Sequence, residues 1–253
     1  GTRRAYHAGD MMRPHLKTPA AVAVLVLKLA VTLILLAAGT GPLVAVPAGI
    51  VVGTLVIWIA SRRAAAMVLG SMGGRPALIG EFPRLHNVVE GLCHTHGIDK
   101  PDLWVVDSPS GNAAVVGDRR SATIVVTTGA TDTLSLVELE ALMAQALVRC
   151  RDPRLADETL GSVIARVPGA SFITSRFNDI DRTVRTDMAG AELTRYPNGM
   201  QWALRALAEM GTVVEGFRPA NAHLWLLQPD GAVDTATAIH PTVELRVDAL
   251  GEL

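Results

Sequence analysis

The sequence contains no two histidines spaced four residues apart. Its seven histidines lie at positions 7, 15, 86, 94, 96, 223 and 240. No helix face therefore offers a pair of imidazoles to one zinc ion. His94 and His96 adjoin Cys93, but residues two apart on a helix point to different sides, and a solvated helix end accounts for them. The two cysteines, Cys93 and Cys150, have no C-x-x-C partner. That excludes a disulfide framework and fits a reduced, cytosolic setting. A Gly-rich phosphate loop is missing as well; Ser71-Met72-Gly73-Gly74 reads as linker. The formal net charge is -1, which gives no electrostatic footprint for a nucleic-acid partner.

What the chain has is apolar sequence near its start. Mean hydropathy is +0.32, and the excess is concentrated in residues 20–38 and 43–60. Each run approaches the roughly 20 residues that cross a bilayer core as a helix. Gly39, Gly41 and Pro42 leave room between them only for a tight turn. The reading is two antiparallel transmembrane helices in a lipid bilayer. A cleaved signal peptide is disfavoured by the second run and by the want of a small-residue cleavage site. Arg3, Arg4, Arg13 and Lys17 precede the first run, Arg62 and Arg63 follow the second, and the turn is uncharged. The positive-inside rule then places both termini and the main domain on the cytoplasmic side of the cell membrane. Met11 or Met12 would make a natural start.

Lys28 lies near the middle of the first run, and neither run contains Asp or Glu. A charge at that depth costs about 2.5–3.5 kcal/mol on insertion scales. Two readings stay open: the long stem snorkels toward a headgroup, or another subunit supplies a carboxylate. On the second, Lys28 is an intramembrane partner contact.

From residue 81 the pattern becomes that of an α+β domain, mainly helical with a small β-sheet. Pro83 opens a helix with Leu85, Val88, Val89 and Leu92 at helical spacing, ending at Gly97. Residues 103–106, 112–117 and 122–128 read as extended, the last being rich in β-branched residues. Ser135-Leu136-Val137-Glu138 is a capping box. It opens a helix running to about Cys150. Residues 157–173 are too broken by Arg166 and Pro168 for a third span. Helices follow over 182–193, from near Pro197, and over 242–253. The expected organisation is a segment 1–18, a hairpin 19–62, a linker 63–80 and a domain 81–253.

In this order, several landmarks resemble the HtpX-like family of integral-membrane zinc metallopeptidases, gluzincins related to the prenyl-protein endopeptidases. They are Glu81-Phe82-Pro83-Arg84-Leu85-His86, Lys100-Pro101-Asp102-Leu103-Trp104, and Asn112-Ala113-Ala114-Val115-Val116-Gly117, which is similar to the family's Asn-Ala-Phe-Ala-Thr-Gly edge strand. Val125-Val126-Thr127-Thr128-Gly129, the stretch from Asp187 to Arg195, Ala222-His223-Leu224 and His240-Pro241-Thr242-Val243-Glu244-Leu245-Arg246 complete the set. The resemblance implies a zinc site built on H-E-x-x-H, with a glutamate as third ligand. Here Gln145 stands at the first histidine, Ala146 at the general base and Arg149 at the second histidine; counting back from Asp187 puts Thr183 at the third ligand. Ala cannot ligate, Gln is a poor zinc ligand and Arg carries a permanent charge.

The expectation is therefore a pseudopeptidase with no metal, no cofactor and no catalytic residues, in which Arg149 points into the old metal site and pairs with Asp187. Cys150 follows Arg149, but no partner completes a dyad, and a buried helix cysteine accounts for it. Function would rest on binding, as an accessory or regulatory subunit of a cell-membrane complex or as a homo-oligomer. The edge strand, Asn112, Ala113, Ala114, Val115, Val116 and Gly117, would capture an extended peptide through main-chain hydrogen bonds. The alternatives are an active metallopeptidase with unusual ligands and a purely structural scaffold.

Overall fold

The two apolar runs form helices α1 (Pro19–Ala37) and α2 (Pro42–Ser71), joined by a turn at Gly39 with φ of +86°. The computed structural model describes residues 19–167, 170–231 and 239–253. The basic residues Arg3, Arg4, Arg13 and Lys17, and the segment 1–18, lie outside these. The chain divides into two compact units, Gly1–Val56 and Ile57–Leu253.

In the first unit, small residues let the helices approach. Ala45, Gly49 and Gly53 of α2 recur every fourth residue and are buried. An added Cβ at Gly49 would run into Thr32 of α1, and one at Gly53 would lie 2.7 Å from Lys28 Cγ. These contacts run antiparallel. Outward, Leu25, Leu29 and Leu33 are exposed. By length and composition α2 is apolar enough to cross a membrane, whereas the described apolar stretch of α1, Leu25–Ala37, is shorter.

The expected linker 63–80 is replaced by structure. Helix α2 continues through Ala64-Ala65-Ala66 to Ser71, because Val68, Leu69 and Met72 are buried in a core cluster of the second unit. Alanine carries the helix at no side-chain entropy cost. Gly73, at φ of +69°, turns the chain into strand β1 (Arg75–Pro76). The boundary expected at residue 62 thus falls inside a helix.

The second unit is mainly helical, with a four-stranded mixed sheet in the order β1-β2-β4-β3. Strand β2 (Asp102–Val106) runs parallel to β4 (Ala122–Thr127), with Trp104 opposite Val125. Strand β3 (Ala113–Gly117) pairs antiparallel with β4 and forms the sheet's edge. Helix α3 (Pro83–His96) ends on Gly97 in the left-handed region, as the sequence indicates. After β4 the chain enters a short helix α4 (Thr128–Thr133) that local pattern did not announce.

Helix α5 (Leu136–Cys150) is the centre of the domain. Ser135 and Glu138 close its capping box, worth about 1 kcal/mol. Residues 141–147 are all buried, as an element packed on every side must be. Helices α3, α7 (Ile180–Thr194) and α8 (Pro197–Glu209) and strands β3 and β4 pack around it. Each of Leu139, Leu142, Met143 and Leu147 contributes about 1.5–3 kcal/mol by burial. Helix α6 (Leu155–Ile164), a 3-10 turn at Pro219–Leu224 and helix α9 (Val243–Leu250) complete the wall around its C-terminal half.

Candidate functional site

One turn of α5 separates Gln145 from Arg149, and both face α7. The two helices touch because α7 carries Gly190, where a Cβ would lie 2.8 Å from Gln145 Cα. This approach brings Gln145, Arg149 and Thr183 to the wall of one cleft, together with His223, Trp225 and His240. Its volume is about 40 Å³, room for a few waters. Ala146 is buried in the core and does not line it. Three of the four predicted positions are therefore neighbours in space.

Asp187 is fully buried behind Gln145, and its partner differs from the expected one. Arg246 of α9, also fully buried, donates from Nε (2.6 Å) and Nη2 (2.7 Å) to the two carboxylate oxygens. Its Nη1 donates to the Leu226 carbonyl at 2.8 Å. Gln145 Nε2 approaches the same carboxylate at 3.5 Å. The expected Arg149–Asp187 pair is thus superseded, because a bidentate guanidinium already saturates the carboxylate. Arg246 sits on the buried face of α9 with Val247 and Leu250. An arginine in that register is the sequence signal for a buried acid elsewhere.

Arg149 instead caps the end of the 3-10 turn Pro219–Leu224. Its Nη1 donates to the carbonyls of Leu224 (2.9 Å) and Trp225 (3.4 Å), and its Nη2 to that of His223 (3.3 Å). These carbonyls close the 3-10 turn, where a cation is favoured. Only 12% of the Arg149 side chain is exposed, and Glu158 Oε2 lies 3.9 Å from Nη2. Burial works against the guanidinium's charge and lowers its pKa, while Glu158 opposes the shift. Arg182 of α7 pairs with both Glu158 and Asp152. Burial alone would depress its pKa, but the two carboxylates outweigh it and the net shift is upward.

The two cleft histidines are held neutral. His223 Nε2 meets the Glu158 carbonyl at 3.1 Å, and His240 Nε2 meets that of Ala222 at 3.0 Å. A carbonyl only accepts, so each Nε2 carries the proton. Burial pushes the His223 pKa down to about 4 and that of His240 to about 3. His223 also stacks on Phe177 at 4.9 Å. Among the described residues its Nδ1 and the Trp225 Nε1 are buried without a partner. Burial pushes the Cys150 thiol up to about 12, which suits a packing residue and not a nucleophile.

The predicted peptide edge is covered. Every residue of β3 is buried, and the chain's own residues 224–227 lie along it. Leu226 N donates to Ala113 O at 2.7 Å, and Ala114 bridges to Trp225. Asn112, fully buried, accepts at Oδ1 from Ala113 N and Leu227 N and donates from Nδ2 to the carbonyls of Thr212 and Leu227. At the far end Gly117 N donates to Thr159 Oγ1. Val115 and Val116 lie between these anchors, buried. Leu224, Trp225, Leu226 and Leu227 are themselves at most 3% exposed. Peeling them away for a peptide would forfeit about 1.5–3 kcal/mol per side chain. The edge is a core seam rather than an open template.

A zinc ion fits these donors poorly. The helix positions present an amide, a guanidinium and a hydroxyl. Among the described residues no three His, Cys, Asp or Glu side chains are grouped as a metal site requires. Arg149 also depresses the protonation of both cleft histidines, so its positive field reaches the cleft, where it opposes a second cation. Lys28 lies in the other unit, half-buried against Gly53.

The geometry defines a class: a mainly helical domain with a small mixed sheet, continuous with a long apolar helix, and a polar cleft on the central helix. No family model matches the chain, and no solved structure does. Curated relatives do. The chain is 25% identical to a protease HtpX homologue of Dictyoglomus turgidum, with 80% of this chain and 81% of the relative covered. It is 27% identical to that of Tropheryma whipplei, over 72% of this chain and 76% of the relative. A shorter match to that of Moorella thermoacetica reaches 37% identity over 44% of this chain and 37% of the relative. The chain is therefore similar to HtpX-like proteins, whose curated members carry the name of protease.

Proposed function

We propose that this chain is a membrane-anchored HtpX-like homologue that acts by binding rather than by metal-dependent hydrolysis, as an accessory or regulatory subunit of a cell-membrane complex. The observation that carries this reading is Arg149. Its guanidinium is fixed on the carbonyls of residues 223–225, in the cleft that Gln145 and Thr183 also line, and it stands in the helix turn where the resemblance implies a divalent cation. A permanent charge there opposes metal entry, and no carboxylate stands at 146 to act as general base. Helices α1 and α2 form the anchor. Arg62 and Arg63 follow the apolar part of α2, Arg62 lies over the Trp58 ring at 4.5 Å, and that aromatic-basic border suits a cytoplasmic interface.

The test is metal analysis of the purified full chain together with a cleavage assay on an unfolded protein substrate. The expected result is zinc far below one equivalent and no cleavage. Stoichiometric zinc that disappears in Asp187→Ala or His240→Ala would overturn the reading.

One observation favours a second reading, an active peptidase with unusual ligands. His223 and His240 both line the cleft and both give their Nε2 proton to a backbone carbonyl, as metal-bound imidazoles commonly do. The same metal analysis decides between the two.

A further inference from the structure

Lys28 is the tenth residue of the 19 in α1, about 14 Å from either end at the helical rise. Its stem occupies the space a side chain at position 53 would fill: a Cβ on Gly53 would lie 2.7 Å from Lys28 Cγ and 3.1 Å from Lys28 Cα. The close approach at the glycine thus sets the lysine stem against α2 and leaves the residue half-buried. Thr32 Oγ1, the nearest polar group along the helix, already donates to the Lys28 carbonyl at 2.8 Å. Among the described residues the ammonium has no ion pair.

The sequence shows why none forms. From Met11 to Gly80 there is no Asp or Glu. The hairpin cannot neutralise Lys28 itself. Neither can a second copy of the same hairpin, which would bring ammonium against ammonium. A lipid phosphate lies at the end of the span, farther than a lysine stem reaches from mid-helix. An ionisable group inside a membrane segment faces a partner of opposite charge or a wet cavity.

We infer that Lys28 receives a transmembrane helix of a different protein that carries an Asp or Glu near the bilayer midplane. This rests on the reading that α1 and α2 span the bilayer. The carboxylate supplies the charge that 70 residues of this chain, 11–80, leave out. The partner is a hetero-subunit, and self-association through this face is disfavoured.

The experiment places the labelled full chain in phosphatidylcholine vesicles with a Leu/Ala transmembrane peptide bearing one central Asp, or Leu at the same position. Energy transfer reports association. The Asp peptide is expected to associate about tenfold more tightly than the Leu peptide. The preference should vanish in Lys28→Leu and survive in Lys28→Arg. No preference, or one that persists in Lys28→Leu, overturns the inference. So does a preference abolished by phosphatidylglycerol, which would mean that headgroups hold the lysine. Transfer between two labelled copies that Lys28→Leu abolishes would make a second copy the occupant and also overturn it. Lys28→Cys, in a chain with Cys93→Ala and Cys150→Ala, separates the failures. Labelling by an impermeant maleimide means that the hairpin is not in the bilayer and the underlying reading fails. Protection without an Asp preference means that only this inference fails.

Discussion

Two arginines lie within one side chain of the same cleft, yet they are held in different ways. Arg246 is fully buried and meets Asp187 with two short, parallel bonds. Arg149 is slightly open, meets three carbonyls, and has its closest carboxylate oxygen 3.9 Å away. The first is a closed ion pair, in which each partner is costly without the other. The second is a charged cap on neutral groups, with Arg182 already serving the shared Glu158. The difference teaches that the charge at 149 is the replaceable one. Its neighbours would lose hydrogen bonds, whereas Asp187 without Arg246 would be a bare buried ion.

The sharpest way to break this comparison is Arg246→Met. It should cost about 3–5 kcal/mol by leaving Asp187 unpaired, read as a shift of the urea midpoint of the full chain in mild detergent. Adding Asp187→Leu should recover most of that loss. A single variant no less stable than the parent would show that the pair is not closed.

Acid probes both arginines through the histidines beside them. Burial first, and then the arginine charges, hold His223 at about 4 and His240 at about 3, against about 6.5 for an unfolded histidine. Between those values the unfolded chain binds the proton more readily. Stability is therefore complete above about pH 6.5 and falls as the pH drops toward 4. At pH 5 the loss is about 2 kcal/mol for each histidine. Denaturation midpoints that stay level from pH 7 to 5 would contradict the neutral, buried assignment.

Arg149→Met should have the smallest effect, about 1–3 kcal/mol from the unsatisfied carbonyls of residues 223–225. Hydrogen exchange should quicken in that segment before it does elsewhere. A loss equal to that of Arg246→Met would erase the distinction between cap and ion pair.

Much of the fold was legible because its signals are local. Pro83, Gly97 and the Ser135–Glu138 box mark helix ends through groups only a few residues apart. The β-branched run of β4 and the broken stretch after residue 164 speak in the same way. What was not legible depends on distant pairing. The cover on β3 comes from Trp225 and Leu226, and nothing near Ala113 foretells it. The extension of α2 to Ser71 follows from burial of Val68 and Leu69 against the sheet. At the cleft, helical spacing put Gln145 and Arg149 on one face, and the count back from Asp187 that the resemblance implies added Thr183; all three line it. Spacing could not choose between two arginines for Asp187, because that choice is made by the register of α9.

Gly190 separates architecture from chemistry. With only a hydrogen at that position, main chain meets main chain where α7 crosses Gln145. The distance between the two helices is then fixed by backbone, independent of what the flanking side chains are. Substitution at 145, 149 or 183 can rewrite the lining while the walls stand where they were. In a scaffold of this kind the least replaceable position at the crossing is the one with no side chain.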